Sequence, residues 1–355
     1  MKPRFHPQLV NDPFGDAGLF VDFLFEKRAL IFDLGRLDPL APRKLLRLTH
    51  AFVSHAHMDH FMGFEWLVRI HLGREKRLHV FGPTGFIAQV AHKLAAYTWN
   101  LVHGYPDLVF AVTEVDAGGR TDSAVFRCRN GFEREAAAPA PVAEGVLLDE
   151  PTFRVRAAVL DHEIPCLAFA LEEKAHINVW TTRLAAMGLP TGPWLRELKE
   201  AVVAGEPKHR PFRVWWHEGT TRHERLIPLG VLAQDVLSVE PGQKIGYVVD
   251  AAYHADNARR IVQLVRGADL LYIETPFLDE DGAHAARKYH LTARQAGQLA
   301  REAGVKRLVP FHFSPRYLSR APRLREEAQA AFRASHAPGP DHSVRPSDPT
   351  GGAAG

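Results

Sequence analysis

Four side chains that can bind a metal ion lie within six residues of one another. They follow the pattern H-x-H-x-D-H and are His55, His57, Asp59 and His60. The apolar segment 48–53 before them is typical of a buried strand that ends in a loop. Two histidines spaced by two residues point to the same side of an extended chain, whereas Asp59 and His60 follow at a turn. One loop can therefore offer two ligands to one metal ion and two to a neighbouring ion.

The combination of imidazole nitrogens with a carboxylate oxygen favours Zn²⁺, with Mn²⁺ and Fe²⁺ as the next choices. The alternative is an exposed histidine-rich loop, but such a loop requires neither this spacing nor the apolar segment before it. Three further candidate ligands each follow a predicted strand, and they are His162, Asp250 and His312. Each of them alone has a simpler explanation as a loop histidine or a turn aspartate. Because strand ends on one edge of a sheet converge, we expect all three to meet the first loop.

The composition restricts the class of protein. A chain of 355 residues with 46% hydrophobic residues can form one large domain or two small ones. Its two cysteines, Cys128 and Cys166, argue against a disulfide scaffold and fit a reducing compartment. The sequence has neither an apolar signal core at its start nor a run approaching the ~20 apolar residues that span a bilayer, so we expect a cytoplasmic protein without membrane contact. The net charge of +3 does not by itself indicate nucleic-acid binding.

Predicted strands and helices alternate along the chain, with strand-rich pairs early in each half. Segments 18–25 and 28–35 are predicted to form a strand pair, and segment 84–97 a helix with Thr84 as a possible cap. This α/β pattern favours two sheets packed face to face with helices outside. We expect one domain over residues 1–336 and a disordered tail over 337–355, which is rich in Pro, Gly, Ala and Ser.

Residues 174–228 differ in composition from the rest of the chain. They hold four of the six tryptophans, and their nine basic and five acidic residues give a local charge of +4. This stretch is predicted to be an insertion that projects from the core.

The histidine-rich loop followed by separate His, Asp and His ligands resembles the metallo-β-lactamase fold superfamily and, within it, the ribonuclease Z family. Segment 53–63 resembles the first metal motif of that family, segment 81–85 its next strand and turn, and segment 307–317 its last motif. The resemblance implies a metallo-β-lactamase-like four-layer αββα sandwich with an inserted arm. It also implies an endonuclease that trims the 3′ end of precursor tRNA.

The resemblance further implies how two zinc ions share the ligands. The first ion would be held by His55, His57, His162 and Asp250. The second would be held by Asp59, His60, His312 and a bridging Asp250. Metal-activated water would attack phosphorus, and Asp59 would accept its proton. Asp33 would support a ligand histidine, with a turn residue at a strand end as the equal alternative.

Two residues correspond to motifs that distinguish ribonuclease Z within the superfamily. Glu274 stands at the place of a His-Glu-Ala-Thr motif, and His290 at the place of a His-Ser-Thr-Ala motif. In that family the Glu holds the His, and the His donates a proton to the leaving oxygen. The alternative for His290 is an exposed residue before a helix that Thr292 caps.

Segment 187–199 resembles the arm, containing Gly-Pro, with which the family grips the tRNA elbow. The expected substrate contacts are Lys199, Lys208, Arg210 and Arg213. Alternatives for the insertion are a helical hairpin that covers the core and a homodimer contact. The chain also departs from the family pattern around Asp250, where Val249 and Ala251 replace Gly and Thr, and in the arm, where Arg196 and Glu197 replace Gly and Lys.

Three functions are compatible with these residues. The leading hypothesis is a zinc-dependent tRNA 3′ endonuclease. The second is the same chemistry on a small phosphodiester or sulfate ester, such as a cyclic nucleotide, and the altered arm and low net charge keep it open. The third is an RNA-binding protein with structural zinc, against which the full ligand set and the Glu274–His290 pair argue.

Overall fold

Two β-sheets packed face to face, with helices on both outer faces, form the body of the protein. A computed structural model describes residues 4–24, 26–139, 145–174 and 176–334. The tail predicted over 337–355 lies outside the described residues. In the part of the chain that is described, no helix is both long and apolar enough to cross a membrane.

The first sheet contains eight strands whose spatial order follows the sequence. They are β1 (Phe5–Leu9), β2 (Leu19–Phe23), β3 (Ala29–Phe32), β4 (Leu48–Phe52), β5 (Lys76–Pro83), β6 (Leu108–Val115), β7 (Thr121–Arg127) and β8 (Arg134–Ala137). Strands β3 to β6 are parallel, and the outer strands add antiparallel pairs on both sides. Its outer face is covered by α1 (Pro42–Leu45), α2 (Met58–Phe61), α3 (Phe64–His71) and α4 (Phe86–Ala95).

The remaining strands form the second sheet and the insertion. They are β9 (Val146–Asp149), β10 (Phe153–Asp161), β11 (Pro165–Glu173), β12 (His176–Val179), β13 (Pro211–Glu218), β14 (Thr221–Pro228), β15 (Leu237–Glu240), β16 (Lys244–Val248), β17 (Leu270–Glu274) and β18 (Leu308–Phe311). The second sheet has the order β18-β17-β16-β11-β10-β9, in which β16, β17 and β18 are parallel.

The later helices divide between the insertion and the second sheet. The insertion contains α5 (Thr181–Ala186), α6 (Trp194–Val203) and α7 (Leu229–Val236). The outer face of the second sheet is covered by α8 (Ala255–Val265), α9 (Gly282–Arg287), α10 (Ala293–Glu302) and α11 (Ala321–Arg333). Thr292 caps α10 as predicted, since its side chain accepts from the Gln295 backbone and the Gln295 side chain accepts in return. Thr84 does not cap α4, because Gly85 takes that position with a φ of 89°.

Aromatic side chains from both sheets fill the space between them. The Phe32 ring lies 5.2 Å from that of Phe52 in its own sheet, and 5.4 and 5.8 Å from those of Phe169 and Tyr247 in the other. Such contacts bury large apolar areas and hold the sheets in register. The helix–sheet–sheet–helix layering confirms the predicted αββα sandwich.

The insertion, here called the arm, is a small unit with its own core around Trp194, Leu198 and Val214. It leaves the second sheet after Glu173 and returns at Lys244. The arm thus continues past the predicted end at residue 228, because β12 pairs with β15 and the two strands satisfy each other's backbone groups.

The arm joins the body at the edge opposite the candidate ligands. Strand β10 runs from that edge to Asp161, beside His162, and β11 runs back to the arm. Nine strand residues span roughly 30 Å at 3.3 Å per residue. The base of the arm is therefore far from the predicted metal site.

Candidate metal centre

Every candidate ligand lies at or just after the end of a strand, on one edge of the sandwich. The loop after β4 supplies the first four, and the other strand ends supply His162, Asp250 and His312. Three strand ends carry a non-glycine residue in the left-handed region, namely Asp33 at φ 59°, Asp250 at 47° and His312 at 57°. This conformation costs about 1–2 kcal/mol per residue, so the surrounding structure must hold it. The left-handed conformation ends the strand and turns the polar side chain towards the edge of the sandwich where the candidate ligands lie.

The loop itself is held by a close backbone contact behind it. The Gly63 amide donates to the Leu34 carbonyl at 2.7 Å. A side chain on Gly63 would come within 2.1 Å of the Gly35 carbonyl oxygen, so only glycine fits. The loop with the first four candidate ligands is therefore packed directly against the turn that carries Asp33.

The Asp250 carboxylate lies at the centre of the cluster. Its Oδ2 atom lies 3.4 Å from the Nε2 atoms of His55, His60 and His162. Its Oδ1 atom lies 3.4 Å from Nδ1 of His312. Asp250 is 3% exposed, so these imidazoles are its immediate surroundings.

The structure brings the seven predicted ligands together in two groups, which a third group of Asp250, Glu274, His290 and His312 connects. Potential ligand atoms lie within 4.8 Å of one another in the group His55, His57, His162 and Asp250 and in the group Asp59, His60 and His312. His57 is exposed, and the Asp59 side chain is 45% exposed, so the cluster opens to solvent there.

The chemistry of the cluster fits a divalent metal. Among the cluster residues, four buried atoms have no hydrogen-bond partner in the described part of the chain, and they are His55 Nε2, His60 Nε2, Asp250 Oδ1 and His312 Nδ1. Burial and the neighbouring His60 lower the pKa of His55 to about 2, which keeps that imidazole neutral. A neutral imidazole and an unpartnered carboxylate oxygen are the forms that bind metal, and leaving them unpartnered is otherwise costly.

Asp33 fixes the orientation of His60 through a network that the sequence predicted only in part. Its Oδ2 atom lies 2.9 Å from His60 Nδ1 and accepts from the Ser54 and Tyr247 hydroxyls, each at 2.9 Å. Its Oδ1 atom accepts from the Ser54 amide at 2.6 Å. All four residues are buried, so His60 must turn Nε2 towards the cluster. Ser54 and Tyr247 were not predicted, because neither residue type signals a role of this kind.

His162 is oriented by a backbone group instead. Its Nδ1 atom lies 2.8 Å from the Tyr289 carbonyl oxygen, which can only accept, so the ring donates there and turns Nε2 towards Asp250. Tyr289 takes a φ of 57° to present that carbonyl. Sequence analysis could not find this contact, because a main-chain oxygen leaves no residue signature.

Buried Glu274 and partly exposed His290 form a pair beside the cluster. Glu274 Oε2 lies 2.7 Å from His290 Nδ1, and Oε1 accepts from the Ala251 and Leu291 amides at 2.9 and 3.0 Å. Both Glu274 oxygens are thus engaged by His290 and by backbone amides, although Glu274 also belongs to a group with Asp250, His290 and His312 whose ligand atoms lie within 4.8 Å of one another. Burial alone would lower the pKa of His290, but the charge and hydrogen bond of Glu274 raise it to about 9.

The four predicted substrate contacts occupy different surroundings in the arm. Lys199 faces a cavity of about 870 Å³ between the arm and the body, where burial and the charge of Arg4 lower its pKa. Lys208 is exposed and forms no ion pair with a described residue. Arg210 pairs with Glu206, and Arg213 lies 3.9 Å from Glu224. The structure does not gather these four cations into one surface.

We expect Asp33→Asn to weaken metal binding while the fold persists. Asparagine tolerates a positive φ but cannot accept from His60, Ser54 and Tyr247 together. Loss of such an orienting contact typically costs 10–100-fold in metal affinity. Chelator competition measures the affinity, with Tyr247→Phe as a milder variant and Asp38→Asn, at an exposed pair with Arg36, as the matched control. Unchanged affinity in Asp33→Asn would contradict this role.

Comparisons with known proteins give the family. Residues 221–313 match the model of the Beta-lactamase superfamily domain. Ribonuclease Z of Deinococcus radiodurans is 32% identical over 343 residues, which cover 92% of this chain and 96% of that protein. Ribonuclease Z of Thermobifida fusca is 32% identical over 287 residues, which cover 80% and 74%. A metallo-β-lactamase fold protein of Bacillus subtilis, YhfI, shares the fold with a TM-score of 0.51 at 15% identity, over 92% and 94% of the two chains. From its similarity to the Deinococcus protein over nearly the full length of both, this chain belongs to the ribonuclease Z family.

Proposed function

We propose that this protein is a metal-dependent endoribonuclease that removes the 3′ trailer from precursor tRNA. The observation that carries the proposal is the buried Asp250 carboxylate with four imidazoles around it and the Glu274–His290 pair beside it. Such a site combines metal ligands with a separate proton donor, which assists cleavage of an RNA phosphodiester because its ribose oxygen is a poor leaving group. The relatives named ribonuclease Z support RNA as the substrate, and such a substrate places the proposed activity in the cytoplasm.

Two zinc ions are the proposed metals. One set of ligands is His55, His57, His162 and Asp250, and the other is Asp59, His60, His312 and Asp250. Asp250 lies beside histidines of both sets, since Oδ2 is 3.4 Å from His55, His162 and His60 and Oδ1 is 3.4 Å from His312, which supports the proposal that both sets share it. When bound, the metals supply an activated water and offset charge on the phosphoryl oxygens.

Side chains of the protein itself would accept and donate the protons of the reaction. Burial opposes ionisation of Asp59, but its contacts with His312 and His60 hold its pKa below the ordinary range, so it stays a carboxylate that can accept a hydrogen bond from water. On the other side, Glu274 keeps His290 protonated and aims it at the cluster. We propose His290 as the general acid for the leaving oxygen and Glu274 as its positioning residue.

The arm is the proposed remote grip on the RNA. It projects from the edge opposite the metal centre, where a large folded substrate can be held without crowding the chemistry. Exposed Lys208, Arg210 and Arg213 can contact phosphates, although Arg210 and Arg213 must first leave acidic partners. These ion pairs are the feature that favours the second candidate, hydrolysis of a small diester by the same centre.

The decisive experiment offers purified protein a precursor tRNA and bis-p-nitrophenyl phosphate. We expect cleavage at the trailer junction. Asp250→Ala should lower bound metal and reduce the rate on both substrates by roughly 10³-fold or more, because the metal-activated water is lost. Asp38→Ala, which removes an aspartate from an exposed pair with Arg36, is the control. Hydrolysis of the small diester without any cleavage of RNA would favour the second candidate.

The role of His290 predicts a dependence on the leaving group. His290→Ala should keep bound metal but lose about 10²–10⁴-fold in rate on RNA, whose ribose oxygen needs a proton to leave. The loss should shrink on the nitrophenyl ester, which leaves without protonation. Equal losses on both would show that His290 is structural or a ligand.

The same assignment predicts a pH profile. A general acid works in its protonated form, so the RNA cleavage rate should fall as pH rises through the pKa of His290. That pKa is raised to about 9 by Glu274, and bound cations can only lower it, so the alkaline limb should lie at or below pH 9. Glu274→Gln removes the charge and should move the limb to lower pH. A limb that stays in place in Glu274→Gln would contradict the pairing.

The arm predicts a loss of binding rather than of chemistry. Replacing Lys208, Arg210 and Arg213 with Ala should raise KM for precursor tRNA and leave kcat nearly constant. The salt dependence of binding should fall by about 0.7–0.9 in logarithmic slope per lost contact. Arg120→Ala with Arg134→Ala, exposed cations in the turn between β6 and β7 and on the edge strand β8, is the control. An unchanged salt slope would mean that the arm does not contact RNA through these residues.

A further inference from the structure

A stripe of exposed apolar side chains runs along α2 and α3, starting in the ligand loop. Met58 is 78% exposed, Met62 45% and Trp66 41%. The Met62 amide bonds back to the Met58 carbonyl, so these two residues lie one turn apart. Gly63, whose amide bonds to Leu34 instead, joins them to α3, in which Trp66 follows. Trp66 forms no ring contact with any aromatic residue of the described chain. Three large apolar groups in a row are unusual on a free surface and typically mark a binding site.

The stripe is continuous with the metal centre. Met58 stands between His57 and Asp59, at the point where the cluster opens to solvent. The other end is basic, since Arg69 follows Trp66 in the next part of α3, is exposed and forms no ion pair with a described residue. A polymer bound with its reactive group at the cluster, and extending along α2 and α3, would therefore contact apolar side chains near the cluster and a cation farther from it.

The proposed chemistry assigns a direction to that polymer, so this inference rests on the proposed function. We take the 3′ ribose oxygen of the tRNA as the leaving group that His290 protonates. The phosphorus stays with the trailer, at the cluster to which the loop 55–60 contributes. The first nucleotides of the trailer are therefore closest to the loop that carries Met58.

We propose that Met58, Met62 and Trp66 form a track on which the unpaired bases of the trailer stack. The nine residues from Met58 to Trp66, in α2, the two-residue turn after it and the start of α3, span at most about 12 Å at the helical rise of 1.5 Å per step. That is the length of roughly three to four stacked nucleotides at 3.4 Å each. Apolar and aromatic side chains bind bases of any sequence by stacking, and Arg69 is placed to contact a phosphate at the end of the track.

Precursors of one tRNA with trailers of one and of six nucleotides test the track. For the unaltered protein we expect a KM about tenfold lower with the longer trailer, a modest effect for stacked bases. The double variant Met62→Ser with Trp66→Ala should lose most of this advantage, with kcat and the KM for the short trailer changing less than twofold. A six-nucleotide trailer without bases should behave like the short one.

Two further variants and a binding measurement make the test specific. Trp66→Tyr keeps an aromatic ring and should keep the length dependence, which also guards against misfolding of the alanine variant. Leu101→Ser removes an apolar side chain that is 75% exposed outside the stripe and should match the unaltered protein. Fluorescence anisotropy of a labelled precursor with an uncleavable junction should show the same order of affinities without turnover.

Each other outcome overturns the proposal in a distinct way. A double variant that keeps the full length dependence excludes the track. A base-free trailer that binds as tightly as the normal one excludes stacking. A double variant that changes from dimer to monomer in sedimentation and loses affinity for both trailers equally would make the stripe a contact between two copies of the chain. If the unaltered protein hydrolyses bis-p-nitrophenyl phosphate but cuts neither precursor, the proposed function itself fails, before any variant is compared.

Discussion

One buried carboxylate sets the requirements that the rest of this structure meets. Asp250 carries its charge at a position from which water is almost excluded, a situation that is strongly unfavourable unless cations or donors surround it. The imidazoles of His55, His60 and His162 face one oxygen, and His312 faces the other. Each ring must therefore turn one particular nitrogen towards Asp250. An imidazole whose other nitrogen made no hydrogen bond could rotate away from that orientation.

The second nitrogens of the rings supply that control. His60 is fixed by a carboxylate, that of Asp33, and His162 by a main-chain carbonyl, that of Tyr289. Asp33 and Tyr289, which supply these two groups, both have a positive φ, and so do the candidate ligands Asp250 and His312. The aromatic packing between the sheets holds these strained strand ends, since Phe32 and Phe311 immediately precede Asp33 and His312. The packing of the core thus helps to hold the side chains of the site in position.

The sequence was most informative where function depends on local spacing. The motif of residues 55–60 could be interpreted from side-chain periodicity alone, and its distant partners from their position after predicted strands. Contacts that combine remote segments were not predictable: Tyr247 reaches Asp33 across 214 positions, and the Tyr289 carbonyl belongs to no side chain. Thr84 was wrong as a helix cap because the adjacent Gly85 adopts a backbone conformation that favours glycine. The hairpin of β13 and β14 was not predicted, because these two strands pair only with each other and belong to neither main sheet.

The place where the arm is attached has a consequence for how such proteins diverge. Strands β11 and β16 each bring one end to the arm and the other towards the ligands, so the two regions share strands but no loops. Residues between Glu173 and Lys244 can be gained, lost or exchanged without altering a single rim turn. The arm and the candidate metal centre can therefore change as separate modules, and an engineer can graft a foreign binding element in place of the arm while the ligand loops keep their geometry.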